Sequence, residues 1–111
     1  MASFEYGKLF ESNVVDNVSP ETLYTVPSTP TNVLLMNCKI RFTNTTAGAV
    51  TIQCWAGSGS TDQYEQINES VPADDYIDLV IPVLTAGQTI TAQAGAATSI
   101  SAHFLRGYLQ S

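Results

Sequence analysis

Two runs of strictly alternating residues between Val33 and Ala56 constrain this chain more than any other feature. In the first, Leu34, Met36, Cys38, Ile40 and Phe42 occupy every second position, with Asn37, Lys39 and Arg41 between them. In the second, Val50, Ile52, Cys54 and Ala56 alternate with Thr51, Gln53 and Trp55. Successive side chains of a strand point to opposite faces, so a period of two predicts two strands, each with one buried and one wetter face. The short connection Asn44-Thr45-Thr46-Ala47-Gly48 predicts that they form an antiparallel hairpin, with Gly48 able to take a positive φ. If Thr43 faces Ala49, then Phe42 faces Val50, Ile40 faces Ile52 and Cys38 faces Cys54. A slip of one residue would turn Lys39 and Arg41 into the core, so the pattern itself holds the register.

The remaining segments continue in the same manner. Thr22–Val26 reads as a short strand closed by Pro27, and Pro27-Ser28-Thr29-Pro30 as a connector. Gln63–Asn68, Tyr76–Ile81, Thr89–Ala94 and Ser99–Leu109 read as further strands, separated by turns at Val71–Asp74, Ala86-Gly87 and Gly95–Ala97. Pro82 ends a strand or marks an edge, and Gly107 suggests a bulge that lets Tyr108 or Leu109 change faces. No segment holds a helical period. With 111 residues there is room for one domain. The expected fold is all-β: an antiparallel β-sandwich or jelly roll of about eight strands over residues 21–111, preceded by an extended N-terminal arm, residues 1–20.

Ten acidic residues against four basic ones give a net charge of −6. That opposes capture by nucleic acid or an anionic membrane, both of which depend on lysine and arginine. No run approaches the ~20 apolar residues of a membrane span, and Met1–Tyr6 lacks the basic start and apolar run of a signal peptide. Synthesis in a cytosol is the expectation.

Catalytic, cofactor and metal roles find no support in the residue pattern. Cys38, Cys54 and a distant His103 do not make a four-ligand zinc set, and cytosolic synthesis favours two buried free thiols over a disulfide. His103 alternates with inward Ile100, Ala102 and Phe104, which sends it outward beside Ser101. The acids Asp62, Glu65, Glu69, Asp74, Asp75 and Asp78 crowd one stretch without the spacing of a calcium loop, and read as a solvated rim or a patch for a basic partner. Trp55 lies on the face opposite Cys54, alongside Val33 and Leu35 if they point the same way. There it is a stacking platform for sugar, an anchor at a protein interface, or a ring covered by a loop or the arm.

Three segments bring a family into view. Leu23-Tyr24-Thr25-Val26-Pro27, the turn Phe42-Thr43-Asn44-Thr45-Thr46-Ala47-Gly48-Ala49-Val50, and Leu84-Thr85-Ala86-Gly87-Gln88-Thr89-Ile90 resemble, in that order, small β-sandwich proteins of tailed-phage virions. The resemblance spans roughly residues 22–109. Length and the phenylalanine-bearing arm look most like the capsid decoration, or staple, proteins of phage epsilon-fifteen and its relatives. It implies a jelly-roll subunit on the capsid exterior, made in the bacterial host cytoplasm, paired as a homodimer on two-fold axes and clamping neighbouring major capsid proteins. It implies no catalytic residue, no cofactor, no nucleic acid, no membrane and no small-molecule substrate. The expected protein-contact residues are Phe4, Tyr6, Leu9 and Phe10 on the arm, with Leu35 and Trp55 as anchors. The alternative is a carbohydrate- or receptor-binding sandwich on a tail or fibre, using Trp55 and Tyr64.

Overall fold

The computed structural model describes residues 4–5, 9–29, 32–58 and 62–111; for residues 4–5 and 62–65 the backbone alone is described. Its strands are β1 (Phe4–Glu5), β2 (Asn13–Val14), β3 (Glu21–Thr25), β4 (Leu34–Asn44), β5 (Val50–Ser58), β6 (Asp62–Val71), β7 (Tyr76–Thr85), β8 (Thr89–Ala94) and β9 (Ile100–Gln110). No described residue is helical, as the absence of a 3.6-residue period requires. One sheet, here sheet A, runs β1-β9-β4-β7, with β2 also on β9. Sheet B runs β3-β8-β5-β6. All pairings are antiparallel: β2 with β9, β3 with β8, β4 with β7 and β5 with β6, while β4–β9 and β5–β8 complete the sheets. A long antiparallel ribbon rolled over itself gives this nested order, which is that of a jelly roll.

The roll corrects the predicted hairpin. β4 and β5 lie in different sheets and exchange no ladder bonds; β4 lies between β7 and β9, and β5 between β6 and β8. Alternation fixes which side of a strand is buried but not which strand lies beside it. A five-residue connection can also span the ~10 Å between packed sheets. Phe42, Ile40 and Cys38 therefore belong to the opposite wall of the core from Val50, Ile52 and Cys54, and all but the 9 % exposed Val50 are fully buried.

Asn44 makes that crossing possible. Its side chain is fully buried, and its Nδ2 donates to the carbonyls of Gly48 at 2.8 Å, Val71 at 3.0 Å and Pro72 at 3.2 Å. Its Oδ1 accepts from the Thr46 amide at 2.9 Å and the Thr46 hydroxyl at 2.7 Å. One side chain thus satisfies the polar backbone of the β4–β5 crossing and ties it to the β6–β7 loop. A buried amide so fully bonded is stabilising, whereas removing it would strand several partners at about 1–3 kcal/mol each.

A fault line crosses sheet A near its middle. On β4 the buried residues are Ile40, Cys38 and then Leu35, so the parity changes at Asn37, whose φ is +52°. On β7 it changes between Ile81 and Leu84, across Pro82. On β9 it changes between Ala102 and Leu109, where Gly107 has φ +144°. The bulge predicted at Gly107 falls on its neighbours: Asn37 and Cys38 of β4 stand against Gly107 alone, and Leu105 is the unpaired residue on β9. Leu35 is consequently corrected: expected outward beside Trp55, it is completely buried, while Met36 turns outward. Pro82 does not end its strand, which continues to Thr85; it lies on an edge strand, where its missing N–H costs no ladder bond.

From Leu9 to Pro20 the chain lies along the sandwich. Val15 is buried and its amide donates to Ile100 O at 2.8 Å; the Ala94 amide donates to Asp16 O at 2.9 Å. Leu9 and Phe10 pack against the core. The Phe10 ring stacks on Tyr24 (centroids 5.6 Å apart) and tilts against Phe104 (5.2 Å), bridging the two sheets.

Candidate docking surfaces

Cross-strand partners share a face, so the register assigns the outer surface of each sheet row by row. On sheet A the first row holds Tyr76, Thr43, Ser101 and Val14. Next come Asp78, Arg41 and His103, then Val80, Lys39 and Arg106. Beyond the fault lie Val83, Met36 and Tyr108. Among the described residues, the large exposed apolar side chains are Val14, Val18, Tyr76, Val80, Val83 and Leu105. All except Val18 belong to this one face. Three of the chain's four basic residues are here too, with Asp78 the single carboxylate in these rows.

The electrostatics of the face are local. Arg41 donates from Nε to Asp78 Oδ1 at 2.8 Å and from Nη2 to Oδ2 at 3.0 Å, the two-pronged arrangement that a guanidinium favours. Lys39 Nζ lies 3.6 Å from the same carboxylate. The Arg41 bond holds the Asp78 carboxyl below the usual carboxylate range and raises Arg41 in turn. Arg41 also lies over the Tyr76 ring, 3.9 Å from its centroid. Arg106 differs: its described contact is to Asn37 Oδ1 at 3.5 Å, and no described carboxylate pairs with it.

Sheet B presents another chemistry. Its rows are Thr22, Thr91, Trp55 and Glu65, the last with its side chain outside the described residues; Gln93, Gln53 and Asn68; and Thr51 with Ser70. Every described side chain in them is uncharged. Trp55 points outward as expected and is half-buried.

The long free edges are β6 and β7. Pro82 interrupts one, and Glu69, in the row of inward-facing Ile52, places a charge on the core side of the other. Both devices discourage strand addition, so contacts between molecules fall to the faces.

The other sequence candidates separate in space. Cys38 and Cys54 are free and buried, and burial pushes both thiols up to about 12. A thiol that stays protonated is a poor nucleophile. His103 is on the outer face as expected, its Nδ1 2.9 Å from Ser12 Oγ. The acidic stretch does not gather: Asp78 faces outward on sheet A, Asp74 and Asp75 lie in the β6–β7 loop, and Glu69 is on the edge. The side chains of Asp62, Glu65 and Tyr64 lie outside the described residues. Among the described residues no three His, Cys, Asp or Glu side chains are placed to hold a metal. A cleft between the sheets at the β6–β7 side, lined by Gln66, Pro82, Val83 and Gln88 among others, offers no ionisable group.

Of the expected contact residues, Trp55 alone is described as outward-facing. Leu35, Leu9 and Phe10 are engaged by the chain's own core. Phe4 is described only by its backbone, paired with Gln110, and Tyr6 lies outside the described residues. The sheet A face was missed. Its signal was present in Val80, Val83 and Leu105, apolar residues at positions that alternation assigns to solvent or that the fault displaces.

No family model matches the sequence, and no curated protein matches it. Solved structures do. A structure of Bacillus endospore appendages, disulfide-linked pili, is 14% identical over 99% of this chain and 88% of its own, with a TM-score of 0.55. A structure of infectious bursal disease virus, Gx strain, is 14% identical with a TM-score of 0.45; this chain covers 31% of its length. PirA is 16% identical over 94% of this chain and 84% of its own, with a TM-score of 0.44. At such identities the appendage structure establishes a shared all-β fold and nothing finer.

Proposed function

We propose that the chain is a non-enzymatic structural virion protein: a decoration subunit that seats on the exterior of an assembled icosahedral shell and clamps neighbouring major capsid proteins. The observation that carries this reading is the concentration of Val14, Tyr76, Val80, Val83 and Leu105 on one outer face of a jelly roll. An apolar face of that kind on a soluble sandwich suits protein contact. The three-segment resemblance to small β-sandwich proteins of tailed-phage virions, with a length and arm that look most like decoration proteins, supports the same reading. A subunit that binds only the assembled shell stabilises that state by mass action, so modest contacts repeated around the shell suffice. It is made in the host cytoplasm and pairs with itself on two-fold axes through a surface other than the shell-facing one. Shells lacking the chain should assemble but release their genome at lower temperature, and adding the chain back should restore the difference. Equal thermal release with and without it would sink the staple role.

A second reading rests on sheet B. The described hydroxyl and carboxamide side chains around Trp55, whose cross-strand partner is Glu65, fit a glycan, which stacks on indole and bonds to such groups. A glycan screen decides: saturable binding that disappears in Trp55→Ala would make the chain a carbohydrate-binding module of a tail or fibre.

A further inference from the structure

We infer that the outer face of sheet A docks on an acidic protein surface of the shell, with Arg106 as the anchor that receives a carboxylate. This rests on the decoration reading above and adds to it the face, the partner's charge and the central residue. Asp78 is already shared by Arg41 and Lys39. Among the described residues, the contact of Arg106 is to Asn37 Oδ1 at 3.5 Å, at the limit of a hydrogen bond. Leu105, 43 % exposed, precedes Arg106 on β9 and half-buried Tyr108 follows across the fault; Lys39 is its cross-strand partner, with Val80, 42 % exposed, beyond Lys39 on β7, and the next row holds half-buried Met36 and Val83, 48 % exposed. A partner that covers those apolar groups also takes Arg106 out of water. A buried cation without an opposite charge is costly, so the covering surface must supply one. Arginine beside exposed aliphatic and aromatic side chains is the composition of an interface centre.

The same charge count argues against the face meeting its own copy across a two-fold axis. An isologous contact would set Lys39, Arg41 and Arg106 against their equivalents with only Asp78 to offset them. The edges are guarded by Pro82 and Glu69. The occupant is therefore an acidic surface of another protein, and the subunit sits with sheet A toward the shell.

The test measures binding of labelled chain to shells assembled without it, across a sodium chloride series. Wild type should bind, and weaken as salt rises. Arg106→Glu should bind at least tenfold more weakly, Leu105→Ser several-fold, Arg106→Lys between wild type and Arg106→Glu, and Trp55→Ala as wild type. Unchanged thermal unfolding of the Arg106 variants shows that fold is not the cause. Binding by Arg106→Glu equal to wild type, or binding indifferent to salt, overturns the proposal while leaving the decoration role intact. Loss of binding in Trp55→Ala but not Arg106→Glu moves the contact to sheet B and overturns it too. Wild type failing to bind shells at all removes the decoration reading and this occupant together. Sedimentation of the chain alone completes the test: Arg106-dependent self-association would make a second copy the occupant.

Discussion

The two outer faces of this sandwich enclose one core yet share almost no surface chemistry. Sheet A's rows turn out cations and aliphatics around a single carboxylate; the described side chains in sheet B's rows are hydroxyls and carboxamides around one indole. The inner faces, by contrast, are interchangeable in kind: Ile40, Phe42 and Cys38 on one wall, Ile52, Ile90 and Cys54 on the other. Folding constrains inward positions, because each must fill space and exclude water. Outward positions are constrained far less, so a difference between two outward faces of one domain carries functional information that the core does not.

The largest effect tests the likeness of the inner faces. Each wall holds one thiol, and each thiol has its pKa raised from 9.0 to about 12 by burial. The folded state therefore holds these protons more tightly than the unfolded chain does. That contribution is fully present below about pH 9 and is lost as pH rises toward 12. At roughly 1.4 kcal/mol per pH unit for each thiol, the pair would account for about 5 kcal/mol of destabilisation by pH 11. Urea midpoints from pH 7 to 11 should show the decline. Cys38→Ala and Cys54→Ala should each flatten it by a similar share while lowering stability at pH 7. Unequal flattening by the two single variants would show that the walls are not alike in this respect, and an undiminished slope in the double variant would show that neither thiol carries it.

Second in size is the fault that only sheet A possesses. A Cβ on Gly107 would lie 3.1 Å from Cys38 Cα and 3.2 Å from Phe104 Cε2, on a backbone with φ of +144°. Gly107→Ala should cost roughly 2–4 kcal/mol through strain and crowding together. At Gly95, beside β5 of sheet B, the nearest atom to an added Cβ is Thr51 O at 3.4 Å, an ordinary contact. Gly95→Ala should stay within about 1 kcal/mol of wild type. Equal costs in chemical denaturation would mean that the fault stores no special constraint.

That fault also marks where the sequence stops being legible. Strand existence, and the inward side of most of each strand, followed from alternation, because burial of one face imposes a period of two. Partnering did not follow: Phe42 and Val50 are five loop residues and two neighbours apart in sequence, yet they face each other across a core instead of along a ladder. Telling a hairpin from a crossing required Asn44, whose value comes from carbonyls of Val71 and Pro72 far along the chain. Leu35 was misplaced because one left-handed residue, Asn37, inverts everything before it. Asparagine tolerates that conformation better than most residues, and Pro82 and Gly107 were visible breakers, but only the register shows that the three align across one sheet. The docking face suffered most, since it is assembled from β2, β4, β7 and β9 and forms no continuous stretch of sequence.

Smaller effects separate surface function from stability. Val83→Thr and Leu105→Ser on sheet A, or Gln93→Ala on sheet B, should each shift unfolding free energy by no more than about 0.5 kcal/mol. Only the sheet A pair should reduce retention on shells. A sheet A substitution that unfolds the chain would instead make those side chains structural, and would erase the contrast between the faces.

The smallest effect is electrostatic and points both ways. Asp78 is held below the usual carboxylate range, first by the Arg41 hydrogen bond and also by Lys39. Its contribution is therefore present above about pH 3.8, the ordinary value, and is lost as pH falls through the depressed one. Because the pair is exposed, the contribution is slight and fades with salt. The stability advantage of wild type over Asp78→Asn should exist at pH 6 and low salt and shrink below pH 3.8, whereas Gln93→Ala on sheet B should show no such dependence. On shells the order reverses. Removing the one carboxylate from the sheet A rows leaves Lys39, Arg41 and Arg106 unopposed, so Asp78→Asn should bind an acidic surface a few-fold more tightly at low salt, despite being the less stable chain. Weaker binding by Asp78→Asn, with its fold intact, would mean that the partner meets this face with cations of its own.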